Sequence, residues 1–503
     1  MKRCVLILLL LVAISSHSQN RFSKKPVLRA IYEMQDRRQT ASLIPYLKHK
    51  KTVYRLAAVM AFASVQDTLV AGRLLELLGN DKKTEVRNAA AYSLGQLYLP
   101  SLQAPLMAEY GKPQKAETKN IILEAIGKCA SKDVIPFLEK MDVKPGMTEA
   151  YVKAVYFATR RRVKSDLINE KIKTISATVT EPGILHLCSK ILSVPKPETP
   201  AVSGNRLSIP IEAARDTLKT IANPYHQIDF LKKYSLFDED LYMLSLEDYA
   251  TPVRTYCMET YLNTSKNVSK PRLIHILNSR DVAYISLACE KIRKDTLWSA
   301  SDSFPLPVLR YIAEHLQLPR DLEAWIDVQK TIAFIKKTDY SYKVPEFQHP
   351  IDWKHVISIP ETQKVKLYTS KGDIIMQCKV NDAPASVSNF LKLVESGFYN
   401  GKYFHRMVPD FVVQGGCPRG DGWGTLDWTQ RSEFSNWLRY KPGSVGLASA
   451  GKDSEGVQFF ITHTYTTNLD GRYTIFAEVV EGMDIVNTLE VGDRILKMER
   501  LNN

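Results

Sequence analysis

Thiols are scarce and unorganised in this 503-residue chain, with seven cysteines and no CxxC pair. A chain of this size needs no disulfide scaffold, so Cys129, Cys188, Cys257, Cys289, Cys378 and Cys417 are expected to be buried, unpaired thiols. No apolar run after the first fourteen residues is long enough to span a bilayer. His405 and His463 have no carboxylate or thiol set to complete a metal site, so they are expected to be structural, with no metal or other cofactor. The glycines of "GDGWG" at 420–424 do not follow a parallel strand and open a helix, which excludes a phosphate cradle and leaves a surface turn.

The one marked apolar run lies at the start. In "MKRCVLILLLLVAISSHSQN", Lys2 and Arg3 precede Val5 to Ile14, and small polar residues follow. That order predicts a secretory signal over residues 1–18, with Ser16 and Ser18 at the small-residue positions before the cut. Ten apolar residues are too few to cross a bilayer comfortably. Cys4 stands before the run, the wrong side for a lipid-attachment cysteine. The mature chain is therefore expected in a periplasm or cell envelope.

Hydrophobic residues make up 45% and charged residues 24%, as in folded domains, and the length implies at least two of them. Charge is uneven. The first 354 residues carry 52 Lys and Arg against 37 Asp and Glu, and the remainder 16 against 17. A basic region can meet acidic protein or an anionic membrane surface, with steep salt dependence. No nucleic-acid recognition motif is present, so nucleic acid is not an expected partner.

The basic region repeats. "YRLAAVMAFASV" from Tyr54, "VRNAAAYSLGQL" from Val86 and "TKNIILEAIGKC" from Thr118 align at a spacing of 32, and "AYVKAVYFATRR" from Ala150 continues the series more weakly. Apolar residues recur at helical spacing, and second helices such as "AGRLLELLGN" and "DVIPFLEKM" lie between. Paired helices that cannot bury their apolar faces alone read as an all-α solenoid. The pattern resembles HEAT-type repeats over about 40–160, with Arg55 and Arg87 at one recurring position. Helices resume in "PVRTYCMETYL" from Pro252 and "VAYISLACEKI" from Val282, after a long loop over "SVPKPETPAVSGNRLSIP". Such solenoids bind protein partners or position a neighbouring domain. The expected boundaries are a solenoid over 19–335, an extended linker over 336–362 packed through Tyr340, Phe347 and Trp353, and a final domain over 363–503.

The final domain has short alternating strands and Gly-containing turns, with "PASVSNFLKLVESG" as a helix, which suggests a closed sheet. Within it "YFHRMVPDFVVQGG", at 403–416, sets Arg406 and Gln414 among aromatic and aliphatic side chains. Arg406 alone would read as a solvated strand residue. Together with "GSVGLASAG", "GVQFFIT" and "NLDGRYTIFAEVVEGMDIV", in this order, the stretch resembles the cyclophilin-type peptidyl-prolyl isomerases, especially bacterial ones, over about 363–497.

That resemblance implies a closed antiparallel β-barrel of eight strands with two capping helices, acting on proline-containing unfolded or extended polypeptides. It implies Arg406, Gln414 and Phe411 as catalytic positions. Val412, Phe460 and Leu469 would line a proline pocket with Phe411, Ala448 and Ser449 would pair with the substrate backbone, and Gln458 would lie beside them. Asn468 and Tyr473 stand where many members have Trp and His, which counts against tight cyclosporin binding without removing the arginine. The expected function is an exported prolyl isomerase that assists folding, its repeats binding or positioning protein clients. The alternative is a weakly active or inactive peptide-binding module in a solenoid scaffold.

Overall fold

Four helices, Thr52–Val65, Thr84–Gly95, Ala116–Lys128 and Thr148–Arg160, begin at intervals of 32 residues in a computed structural model that describes residues 19–193, 207–266, 268–294, 305–339, 349–435 and 437–502. Second helices, Ala71–Asn80, Gln103–Gly111 and Ile135–Lys140, lie between them. Small residues let the first helices stack: Ala58, Ala61, Ala90, Ala91 and Ala154 are fully buried. At Gly127 a Cβ would come within 2.3 Å of the Ala154 carbonyl oxygen, so only glycine fits that crossing. The recurring arginines converge on one aspartate. Arg55 donates to both Asp81 carboxylate oxygens, at 2.8 and 3.0 Å, and Arg87 donates to the Asp81 carbonyl at 2.7 Å.

Helices continue to Leu322–Lys336 and include Thr251–Thr264 and Val282–Lys294, where the sequence places them. The signal segment, residues 194–206 of the long loop, and Tyr340 and Phe347 of the linker lie outside the described residues. The linker is not wholly extended: Trp353–Ser358 is a helix, begun by the Asp352 side chain accepting from His355 N. Its Trp353 rests 5.4 Å from the Phe22 ring and donates to Glu33. Asn20 is buried and donates to the Val356 and Ile359 carbonyls, so the start of the described chain clasps the linker.

Eight strands form the final domain: β1 Lys364–Thr369, β2 Gly372–Cys378, β3 Phe404–Val408, β4 Val412–Gly415, β5 Ser444–Ser449, β6 Glu455–Thr462, β7 Ile475–Glu481 and β8 Ile495–Leu501. They pair antiparallel in the order β8-β1-β2-β7-β5-β6-β4-β3. A bridge between Tyr403 and Arg494 and bonds exchanged by Phe404 with Asp493 and Gly492 join the two outer strands, closing the barrel. Helix Pro384–Glu395 packs Phe390 into the interior against Phe476. The second cap is a single turn, Met483–Val486.

Barrel and solenoid share one interior. A single hydrophobic core runs from Phe22 through the repeats to Met498, and a second, around Val253 and Leu273, receives Tyr403, Trp423 and Val491 of the barrel. Polar contacts follow the same path. Ser64 accepts from Phe434 N at 2.9 Å, Arg38 pairs with Asp453, and Asp281 pairs with Arg419 at 2.9 Å. Glycines 420, 422 and 424 form a turn, but a docked one: Tyr225 donates to the Gly420 carbonyl and Thr255 to Asp421. The expected surface turn is a foot planted on the solenoid. All six described cysteines are free and buried.

At the centre of the contact, Lys128 is 1% exposed, 2.8 Å from Glu124, and stacked over Tyr92 and Phe157. Arg439 of the barrel lies 3.7 Å from both Glu124 and Asp470 and over Tyr92. The Gln96 amide, oriented to suit its neighbours, donates to the Gly471 carbonyl and accepts from Lys128. Burial disfavours the Glu124 charge, yet Lys128, Arg439 and Lys153 outweigh it and hold its carboxyl far below the usual range.

Candidate active site

Strands β3 and β4 are joined by a turn in which Phe411 N donates to the Val408 carbonyl, and their register sets Arg406 opposite Gln414. Side chains alternate along β4, so Val413 enters the barrel core while Val412 and Gln414 face outward. With Arg406 they border a groove of about 240 Å³ on the barrel wall.

Its floor is Val412, Phe460 and Leu469, all buried, with Phe411 half-buried beside them. These residues form a small core with Tyr440 and Ile475, separate from the barrel interior. Phe460 stacks on Tyr440 at 5.6 Å and meets Tyr473 edge-on at 5.9 Å. Gly446 makes this possible, since a Cβ there would lie 2.2 Å from the Tyr440 hydroxyl and 2.5 Å from Phe460.

Above the floor the groups are polar. The Arg406 side chain is exposed and has no ion pair or hydrogen bond among the described residues. Gln414 donates to the Gln458 side-chain oxygen at 2.9 Å, and Gln458 donates to the Gly422 and Gly424 carbonyls, each at 2.8 Å. This relay fixes the Gln414 amide and leaves its oxygen and second N–H hydrogen for the groove. Along one edge, β5 pairs with β7 only as far as Gly446, so Ala448 and Ser449 border the groove beyond that ladder.

The structure thus brings together Arg406, Phe411, Val412, Gln414, Ala448, Ser449, Phe460, Leu469 and Tyr473 around one groove. Gln458 lines an adjoining pocket. Asn468 sits in the turn Thr467–Leu469 and is not among the residues lining the groove. Burial pushes the His405 ring down to about 4 and lowers His463, so both are neutral near pH 7. Tyr440 and Gly446, which carry the floor, were not singled out by sequence; nothing local distinguishes them from ordinary core positions.

Two buried carboxyls lie behind the groove. Glu455 accepts from the Thr474 hydroxyl at 2.8 Å, and Glu433 accepts from Ser386 N and its hydroxyl. Burial pushes Glu455 up to about 8 and Glu433 to about 7, against an ordinary value of 4.5. A carboxyl raised in the folded state costs stability as pH climbs from its unfolded value through its folded one. For Glu455 that window is 4.5 to about 8. Glu455→Gln should therefore gain on wild type in melting temperature between pH 5 and pH 9. A gap that stays constant across that range would show that Glu455 titrates normally.

Residues 364–501 match the family model described as cyclophilin type peptidyl-prolyl cis-trans isomerase/CLD, and residues 40–127 match HEAT repeats. A peptidyl-prolyl cis-trans isomerase of Helicobacter pylori is 39% identical over 140 residues, 27% of this chain and 86% of the relative. One from Synechococcus elongatus is 42% identical over 135 residues, 26% of this chain and 92% of the relative. Peptidyl-prolyl cis-trans isomerase B of Bacillus subtilis is 43% identical over 112 residues, 22% and 78% respectively.

Proposed function

The chain belongs, through its barrel, to the cyclophilin-type peptidyl-prolyl cis-trans isomerases, and we propose that Arg406 is the group that lowers the rotation barrier. Rotation about an X–Pro bond crosses roughly 20 kcal/mol because the amide is conjugated. In the twisted state the prolyl nitrogen regains a lone pair, and a catalyst must bind that state better than the planar one. A guanidinium stays charged at any working pH and presents several directed donors. The observation that carries the reading is an unpartnered Arg406 above an apolar floor.

A proline ring seated on Val412, Phe460 and Leu469, beside Phe411, brings its nitrogen toward Arg406. Arg406 is exposed in the free chain, so the peptide itself must exclude the water that would weaken the bond. Gln414, fixed by Gln458, holds a substrate carbonyl with its free N–H. Ala448 and Ser449 pair with the extended backbone. Tyr473, edge-on to Phe460, closes the side where many family members carry His. No proton moves and no covalent intermediate forms. NMR exchange spectroscopy on an X–Pro peptide tests this. Full-length chain at about a hundredth of the peptide concentration should raise the cis–trans exchange rate. Binding without faster exchange would leave a peptide-binding module.

The repeats support and position the barrel, since the two parts share a core. Export is part of the proposal and rests on the basic-then-apolar start of the sequence. Cleavage after Ser18 leaves Gln19 next to Asn20, which is already bound to the linker. N-terminal sequencing of the protein recovered outside the cytoplasm should read Gln19 first; a chain still carrying residues 1–18 there would contradict it.

A further inference from the structure

The groove continues, past Gln414, Ala448 and Ser449, into a second pocket of about 120 Å³. One wall is barrel, built by the loop from Gly422 to Thr425 and by Gln458. The opposite wall is solenoid: Pro319, Arg320, Leu322 and Glu323, at the start of its last described helix, Leu322–Lys336. The two walls are held in register. Arg419 pairs with Asp281 and Asp421 below the loop, and Trp423 packs onto the second solenoid core.

The charges of the solenoid wall are not equivalent. Arg320 is taken up by Asp321 at 3.1 Å and faces Asp427 at 3.9 Å. Glu323 has no ion pair or hydrogen bond among the described residues. Of the charges that act on it, Asp327 and Asp421 share its sign and only Lys330 opposes it. Asp327 and Asp421 are themselves paired, with Arg293 and Arg419. The group left without a counter-charge in the pocket is therefore the Glu323 carboxyl. Burial, with Asp327 and Asp421 adding to it, pushes that carboxyl up to about 7, so that a cation beside it would draw it into the carboxylate form.

A peptide lying along Ala448 and Ser449 with its proline in the groove is extended. In an extended chain, residues two apart face the same side, about 6.5 to 7 Å from one another. The groove and the adjoining pocket share Gln414, Ala448 and Ser449 along that edge. We infer that the side chain two positions from the proline enters this pocket, and that Glu323 of the solenoid selects a lysine or arginine there. The inference rests on the isomerase reading. It gives the repeats a direct part in substrate choice, through a residue that no isolated barrel would possess.

The test uses the full-length chain and two series of short peptides. One carries Lys, Gln or Glu two residues before the proline, the other two residues after it. In one series the Lys peptide should exceed the Glu peptide in kcat/KM by about tenfold, as expected for one partly screened charge contact. In Glu323→Gln that ratio should fall to near one. Failure to isomerise even the Gln peptides would overturn the isomerase reading itself. Gln peptides that turn over with a Lys-to-Glu ratio near one in both series would overturn only the Glu323 assignment. A ratio that persists in Glu323→Gln would do the same, and would place the selection on barrel charges.

Discussion

Arg439→Met is expected to lower the stability of the full-length chain by about 3 kcal/mol, read as a shift in urea midpoint. Among the described residues, Arg439 is the one barrel cation within 4 Å of both Glu124 and Asp470. Their side chains are 8% and 2% exposed, so removing the guanidinium takes a counter-charge from two carboxylates held in protein. Lys128 still compensates Glu124, whereas Asp470 keeps the weaker pull of Lys153 and the Tyr440 N–H. Burial already pushes Asp470 up to about 6 with Arg439 in place, and its loss would push it higher. The penalty should therefore be larger at pH 8, where Asp470 must stay charged or take a proton from solvent, than at pH 5. Helical circular dichroism and tryptophan fluorescence, to which Trp325 of the solenoid and Trp423 and Trp428 of the barrel all contribute, should report one coincident transition, as a shared core requires. A loss below about 1 kcal/mol, equal at both pH values, would make Arg439 a peripheral contact.

Arg406→Ala is expected to lower kcat/KM toward an X–Pro peptide by about 100-fold or more, the usual effect of removing a donor that acts on the transition state. The Arg406 side chain has no ion pair or hydrogen bond among the described residues, so folding should be little affected. Arg406→Lys should recover only part of the rate, because an ammonium keeps the charge but loses the planar fork of donors. Full recovery would point to charge alone, and no loss in Arg406→Ala would remove Arg406 from the mechanism.

What could be read from sequence depended on whether the signal was local. The 32-residue spacing reports helices that pack on their sequence neighbours, and all four begin where the spacing places them. The hairpin around Arg406 and Gln414 is equally local, since two strands and a short turn fix which side chains share a face. Long-range docking left no such trace. The glycine-rich turn at 420–424 reads as a solvent turn until Tyr225, some two hundred residues earlier, meets the Gly420 carbonyl. Trp353–Ser358 was hidden by the prolines on either side; its helix is secured by Phe22 and Glu33, far away in sequence. Glu323 carries no motif at all. Its place beside the groove follows from how the last described solenoid helix meets the barrel.

The central claim is that Arg406 binds the twisted amide rather than the ground-state peptide. Measuring cis–trans exchange and peptide dissociation constants together, for wild type and Arg406→Ala, tests it most directly. The expected result is an exchange rate reduced by about two orders of magnitude with the dissociation constant changed less than about threefold. Equal losses in both would show that Arg406 only holds the peptide, and a wild-type rate no faster than the uncatalysed one would contradict the account at its root.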